Sequence, residues 1–223
     1  MSAKAVVILS GGMDSAVSAA IAKEEGYTLV AVHFNYGQRT QEKELEAFRA
    51  ICDDLEARER YEIDLPFFSV IGASALTDES IEVPTGGLEE GVPVTYVPFR
   101  NGIFLSIATA IAEKEGAEAI FIGVVQEDSS GYPDCREFYI EAMERAVNLG
   151  TKDDTLIAIE APLLHLKKSE IVETASRLGV KLEHTWSCYQ NSQKACGLCD
   201  SCRLRLAGFE KAGIEDPIEY DSL

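Results

Sequence analysis

An α/β fold built on a doubly wound parallel sheet is what this sequence predicts, and three observations predict it. Apolar, strand-like runs alternate with helix-like segments from the first residues onward. The first run, Ala5-Val6-Val7-Ile8-Leu9, contains no polar residue, as a strand covered on both faces requires. A tight turn of small residues, Ser10-Gly11-Gly12-Met13-Asp14-Ser15, then leads directly into a helix-like stretch from Ala16 to Glu25.

Each further element follows from its own pattern. Thr28 to Phe34 reads as a second buried strand. Glu42 to Arg60 carries Leu45, Phe48, Ile51 and Leu55 at helical spacing. Arg60 to Leu65 reads as a third strand, stopped by Pro66. Residues 72–95, rich in Gly, Thr, Pro and acids, read as a loop over the strand ends. A helix over Asn101 to Glu115 and a strand over Ala119 to Val124 follow. Cys135 to Leu149 reads as helix, Leu156 to Glu160 as strand, and Ser169 to Leu178 as helix with Gly179 as its stop. From Thr185 the rhythm breaks. The expected organisation is an α/β domain over 1–184 and a small cysteine-rich region over 185–223 packed on it.

Composition narrows the function. Thirty-eight acidic against 20 basic side chains give a formal net charge of −18. Such a surface repels phosphate backbones, which argues against a protein working on tRNA or DNA. The N-terminus runs straight into a strand without an apolar signal segment, and the longest apolar helix-like piece, Ile103 to Ala112, is too short to span a bilayer. A soluble, cytoplasmic protein without membrane or nucleic-acid partners is expected.

The turn after the first strand is a candidate pyrophosphate site. Its glycines let the backbone approach an anion, and the next helix presents its positive end to the same spot. Ser10 and Ser15 offer hydroxyl groups, and Asp14 offers a carboxylate to Mg²⁺ beside a phosphate. No Gly-Lys-Ser/Thr is present, so this is not the Walker loop. An ordinary strand–turn–helix corner is the competing explanation.

Cys188, Cys196, Cys199 and Cys202 form the second signal. Four clustered thiolates fill a tetrahedral zinc site and leave no open position, so a structural metal is expected. An iron–sulfur cluster is the rival. Arg203 and Arg205 are placed to offset the site's negative charge, and His184 is surplus to the ligands. Cys52 reads as core, and Cys135 stands at a loop-to-helix junction without an evident base. His33 and His165 read as buried or half-buried histidines rather than catalysts.

Ser10-Gly-Gly-Met-Asp-Ser15 resembles the loop of the N-type ATP pyrophosphatases, which include GMP, NAD and asparagine synthetases and tRNA-modifying enzymes. Further blocks follow in order: Asn35-Tyr-Gly-Gln38, Val97-Pro-Phe-Arg-Asn101, Ser130-Gly-Tyr-Pro-Asp-Cys-Arg136, Lys168-Ser-Glu-Ile171, and Trp186-Ser-Cys with the cysteine tail. Together, from Lys4 to about Gly213, they resemble the 7-cyano-7-deazaguanine synthase family of queuosine precursor biosynthesis. The resemblance implies a Rossmann-type, adenine nucleotide α-hydrolase-like fold and a homodimer. It implies a ligase that turns 7-carboxy-7-deazaguanine and ammonia into a nitrile with Mg-ATP, through adenylated acid and amide, releasing AMP and pyrophosphate. No glutaminase domain is recognisable, so the ammonia source stays open.

With that resemblance, roles fall on particular residues. Ile8 to Ser18, that is Ile8, Leu9, Ser10, Gly11, Gly12, Met13, Asp14, Ser15, Ala16, Val17 and Ser18, would bind ATP, with the backbone near His33 and Phe34 at adenine. Asp14, Arg100 and Lys168 would be catalytic, Lys168 reaching the phosphates. Phe99, Arg100, Asn101, Tyr132, Asp134 and Arg136 would bind the deazaguanine, with Asp134 accepting from its N–H edge, Tyr132 or Phe99 stacking, and Arg100 or Arg136 on its carboxylate. Asn101 and Asp134 are equally helix N-cap candidates. A tRNA thiolase of the same superfamily, or a non-catalytic zinc-ribbon module, are the alternatives.

Overall fold

In the computed structural model, residues 2–87, 91–126 and 131–221 are described. The chain runs β1 (Lys4–Ile8), α1 (Met13–Glu24), β2 (Thr28–Asn35), α2 (Gln41–Asp54), β3 (Glu59–Asp64), a single turn α3 (Phe67–Ile71), then α4 (Arg100–Glu115) and β4 (Ala119–Ile122). A 3-10 turn (Pro133–Cys135), α5 (Glu137–Gly150), β5 (Ala158–Glu160), α6 (Lys168–Leu178), a second 3-10 turn (Leu182–His184) and α7 (Asp200–Ala212) complete it. The five strands form one parallel sheet in the order β3-β2-β1-β4-β5.

Side chains alternate across that sheet and build a core on each face. Val6, Ile8, Val30, Val32, Phe34, Ile120 and Ile122 point to one side, where Phe104, Leu105, Ala108 and Ala112 of α4 and Ile140 and Val147 of α5 cover them. Ala5, Val7, Leu9, Leu29 and Ala31 point to the other, under Ala16 and Ala19 of α1 and Phe48 and Ile51 of α2. The doubly wound prediction therefore holds. β1 is central, with β2 and β4 on either side, so the chain's winding reverses between β1 and β4. Crevices for ligands open beyond the carboxyl ends of strands at such a reversal, and the Ser10–Ser15 turn lies there.

Several boundaries differ from expectation. α2 stops at Asp54, not Arg60, because residues 59–64 are needed to pair with Val30 to Asn35 of β2. The chain turns between them with Glu56 in the left-handed region, φ 58°. The helix expected from Cys135 begins at Glu137, since Arg136 is extended and Cys135 closes a 3-10 turn. Strand β5 is shorter than expected, and α3 and α7 have no counterpart in the sequence reading. α7 packs against α6 through Gly208, where an added Cβ would meet Lys168 Cγ at 2.6 Å. Among the described residues, no helix is long and apolar enough to cross a membrane.

Candidate active site

The Ser10–Ser15 turn is stapled from inside. Ser10 N donates to Ser15 Oγ at 3.2 Å, Gly12 N to Ser10 Oγ at 3.3 Å, and Ser15 Oγ to the Gly12 carbonyl at 2.9 Å. Ser15 thus holds the turn's shape rather than offering its proton outward. Gly11 has φ +89°, and a Cβ there would stand 2.5 Å from the Glu44 carbonyl oxygen, so only glycine fits. Its own carbonyl accepts from Trp186 N at 2.8 Å. Among the described residues, no side chain caps α1 at Gly12. The helix therefore presents uncapped first-turn N–H groups and its positive end to the crevice.

The crevice is lined by this turn, by Phe34 of β2, Tyr36 and Gln38 after it and Glu44 of α2, by Arg100, Asn101 and Phe104 of α4, and by Ile122 at the end of β4 with Gly123 to Val125 after it. Tyr132, Cys135 and Lys168 line it too, and Trp186, Ser187, Tyr189, Ser201, Leu204 and Arg205 close it from the C-terminal region. Lys168, 154 positions from Asp14 in the chain, donates to both of its carboxylate oxygens, at 3.0 and 2.8 Å. Arg100 stacks near Tyr36 and Phe104, at 5.6 and 5.8 Å from the ring centres, and donates to Tyr36 Oη at 3.1 Å. Burial works against its charge, but Tyr36, Tyr132, Asp134 and Cys135 around it hold its pKa above the ordinary value. Its Nε has no hydrogen-bond partner among the described residues.

Other expected residues stand elsewhere. Ala16, Val17 and Ser18 are buried within α1. His33 is buried against Phe48 with Nδ1 2.8 Å from the Leu9 carbonyl, and burial lowers its pKa. Its neighbour Phe34, stacked on Phe104, does face the crevice. Phe99 is the left-handed residue before α4, φ 54°, and is half exposed against Tyr139. Arg136 lines a second hollow with Gln126, Glu137, Phe138 and Glu141, which shares the walls Tyr132 and Cys135 with the crevice. His165 is exposed beside Glu137 rather than buried. Ser130 lies outside the described residues.

Both capping expectations are corrected. Asn101 is inside α4, not at its cap, with Nδ2 on the Asp134 carbonyl and Cys135 Sγ. Asp134 does not cap α5; its Oδ2 accepts from the Asn101 N–H at 2.9 Å. It thereby satisfies the first turn of α4 from across the chain, is 3% exposed, and is absent from the crevice wall. Burial raises the Asp134 pKa, with the Asn101 N–H and Arg100 pulling it back. Burial also pushes the Cys135 thiol up to about 12, which leaves no thiolate for nucleophilic work.

The sulfurs of Cys188, Cys196, Cys199 and Cys202 lie within 4.8 Å of one another, with Cys196 and Cys202 Sγ 3.9 Å apart. Backbone N–H groups of Gln190, Asn191 and Cys196 point at Cys188 Sγ, and those of Leu198 and Cys199 at Cys196 Sγ. Such donors favour thiolates, so the donor set fits a metal ion. The two arginines do not serve the sulfurs as expected. Arg203 donates to the Thr85 and Leu198 carbonyls, and Arg205 makes a buried bidentate pair with Asp216 at 2.7 and 2.9 Å.

An uncapped helix end behind a glycine turn, a lysine–aspartate pair at its mouth and a four-cysteine cluster fit to hold a metal behind the far wall define an α/β nucleotide-binding enzyme of the pyrophosphatase-loop type. Comparison with known proteins gives the particular family. Residues 4–213 match the family model described as queuosine biosynthesis protein QueC, and the chain belongs to that family. A 7-cyano-7-deazaguanine synthase from Sulfurovum sp. (strain NBC37-1) is 72% identical over 220 residues, 99% of each chain. One from Aliarcobacter butzleri (strain RM4018) is 66% identical, covering 97% of this chain and 95% of that one. Among solved structures, a 4-thiouridine synthetase in complex with RNA and bound ATP aligns with a TM-score of 0.57 at 22% identity. It covers 95% of this chain and 50% of its own, and at that identity shares the fold alone.

The sequence reading missed Glu44, Gly123 and Tyr189 as site residues. Tyr36, Gln38, Trp186 and Ser187 belong to blocks that carry the family resemblance, without a role assigned from sequence. Glu44 sits in an acid-rich amphipathic stretch where nothing distinguishes it from Glu42 or Glu46. Gly123 carried a legible signal, a glycine directly after a buried strand.

Proposed function

We propose that this chain is an ATP-dependent carbon–nitrogen ligase that converts 7-carboxy-7-deazaguanine and ammonia to 7-cyano-7-deazaguanine in queuosine precursor biosynthesis. The observation that carries the reading is the Asp14–Lys168 pair at the uncapped start of α1, with Arg100 in the same crevice. In the ATP complex, the first-turn N–H groups of α1 would cradle the β- and γ-phosphates. Asp14 would hold the Mg²⁺ that accompanies them, and Lys168 would supply positive charge to the phosphate oxygens.

A carboxylate is a poor electrophile because oxide is a poor leaving group. Attack of the substrate carboxylate on the α-phosphorus gives an acyl-adenylate and expels pyrophosphate, whose developing charge the helix end and Lys168 stabilise. Ammonia then displaces AMP to give the amide. A second adenylation, now on the amide oxygen, lets that oxygen leave with AMP as the nitrile forms. Arg100, held cationic, would orient the substrate's carboxylate, and Phe34 with Phe104 would give the adenine an apolar wall.

The four cysteines would hold zinc, which supplies a fixed crosslink for the C-terminal wall of the crevice. Zinc fits better than a cluster: with bonds of about 2.3 Å a tetrahedral tetrathiolate places its sulfurs about 3.8 Å apart, close to the 3.9 Å between Cys196 and Cys202. The division into an α/β domain over 1–184 and a zinc region over 185–223, the homodimer and the cytoplasmic location belong to this proposal. The deciding experiment incubates the protein with Mg-ATP, ammonium and 7-carboxy-7-deazaguanine. Mass analysis should find the nitrile with AMP and pyrophosphate, whereas ADP and phosphate alone would refute the reading of the loop.

A further inference from the structure

The proposed reaction puts two nucleobases into one crevice, the adenine of ATP and a deazaguanine, and something must tell them apart. A guanine-type edge presents two adjacent donors, a ring N–H and an exocyclic NH₂. An adenine edge alternates donor and acceptor, which backbone N–H and C=O groups at a strand end can match. Two adjacent donors are matched by the two oxygens of a carboxylate.

Among the described residues lining the crevice, the carboxylates are Asp14 and Glu44. Asp14 is held by Lys168 at the phosphate end. Glu44, in the first turns of α2, is oriented from the β2–α2 loop. Thr40 Oγ1 donates to its Oε1 at 2.7 Å and Gln38 Nε2 to its Oε2 at 3.1 Å. Gln38 is itself fixed, accepting from Tyr36 N at 2.8 Å. One donor per oxygen leaves each with a further lone pair. The group is therefore both pre-set in orientation and able to accept more.

The cations sort in the same way. Arg39 is spent on the Ala75, Asp78 and Ile81 carbonyls, Arg205 on Asp216 and Thr185, and Lys168 on Asp14. Arg100 gives one bond to Tyr36 and keeps its Nε unpartnered among the described residues. Glu44 thus faces the crevice from α2 and Arg100 from α4, on opposite faces of the sheet, with the loop between them. The Glu44 backbone also abuts Gly11, so the base-reading group and the phosphate loop share one scaffold. Burial raises the Glu44 pKa while its Thr40 and Gln38 bonds and Arg100 oppose this, and two N–H donors from a ligand would compensate the buried charge further.

We propose, resting on the ligase reading above, that Glu44 is the specificity-determining residue of this crevice: its two oxygens accept the ring N–H and the exocyclic NH₂ of the deazaguanine, and so aim the substrate's carboxylate at Arg100. Asp134, expected from sequence to do this, is already committed to α4.

The test measures pyrophosphate release by the parent chain and by Glu44→Gln, titrating ATP and the acid separately, and repeats both with the analogue that lacks the 2-amino group. The parent should prefer the amino compound about tenfold or more in kcat/KM, because the analogue leaves a charged acceptor unmatched. In Glu44→Gln that preference should fall to about threefold or less with ATP KM unchanged. A parent indifferent to the amino group would overturn the proposal even if the variant failed to fold. So would a variant that keeps the full preference, or one whose loss falls on ATP KM. Failure of the parent to release pyrophosphate with the deazaguanine acid would instead sink the ligase reading itself.

Discussion

Gly123 offers the sharpest test of how the crevice is held in shape. It follows β4 directly, and its backbone lies against the start of α1. A Cβ built there would stand 2.7 Å from Asp14 C, 2.7 Å from Ser15 N and 2.8 Å from Asp14 O, where ordinary contact begins at 3.4 Å. All three neighbours are backbone, so no side chain can swing away. Gly123→Ala must therefore part β4 from α1 by about 0.7 Å, or bend one of them, at an overpacking cost of about 1–3 kcal/mol. For a chain of this size each kcal/mol lowers Tm by roughly 2–4 °C, so a fall of about 2–12 °C is expected.

The displaced group is the first turn of α1, which carries Asp14 and the proposed phosphate-binding N–H groups. Misplacement approaching 1 Å in a catalytic constellation costs about a hundredfold in rate. Gly123 has no positive φ, so the substitution brings no backbone strain of the kind Gly11→Ala would. Pyrophosphate release at saturating substrates gives kcat, and differential scanning fluorimetry gives Tm. Gly150→Ala, with open space where the methyl goes, is the control. A Gly123→Ala protein within twofold of the parent in kcat and unchanged in Tm would refute the account of this contact.

Two further outcomes follow from the geometry. Cys199→Ser should abolish binding of the proposed zinc and, because structural zinc supplies about 10–16 kcal/mol of apparent folding energy in small sites, loosen the C-terminal wall of the crevice. Trp186, the chain's one tryptophan, is buried there with its backbone N–H on the Gly11 carbonyl and its indole N–H on the Asn191 carbonyl, so its emission should shift red as activity falls; a metal-free protein with unchanged emission and full activity contradicts this. Asp134→Asn keeps an acceptor for the Asn101 N–H and removes only a charge at the start of α4, worth about 0.3–1 kcal/mol. The KM for the deazaguanine acid should change by less than about fivefold, and a larger rise with intact Tm would return Asp134 to the substrate.

The sequence by itself determined the alternation of strands and helices, the loop after β1 and the cluster of four cysteines. These signals are local: apolar runs, glycines in a tight turn and cysteines close in the chain each act through neighbours a few residues away. Asp14 and Lys168 were both legible as residues, but their pairing across 154 positions was a product of the fold. Tertiary structure alone decided that Asp134 serves α4 rather than its own helix, since the N–H it satisfies comes from Asn101. It alone singled out Glu44 from an acid-rich helix, by turning that one carboxylate toward Gln38 and Thr40 at the mouth of the sheet. It also diverted Arg205 from the sulfurs to Asp216, because a buried guanidinium takes the partner that can match its fork. Spacing along a chain fixes what neighbours can do. Which distant groups meet depends on where parallel strands end and which helix faces the gap, and that is set only when the two cores close on the sheet.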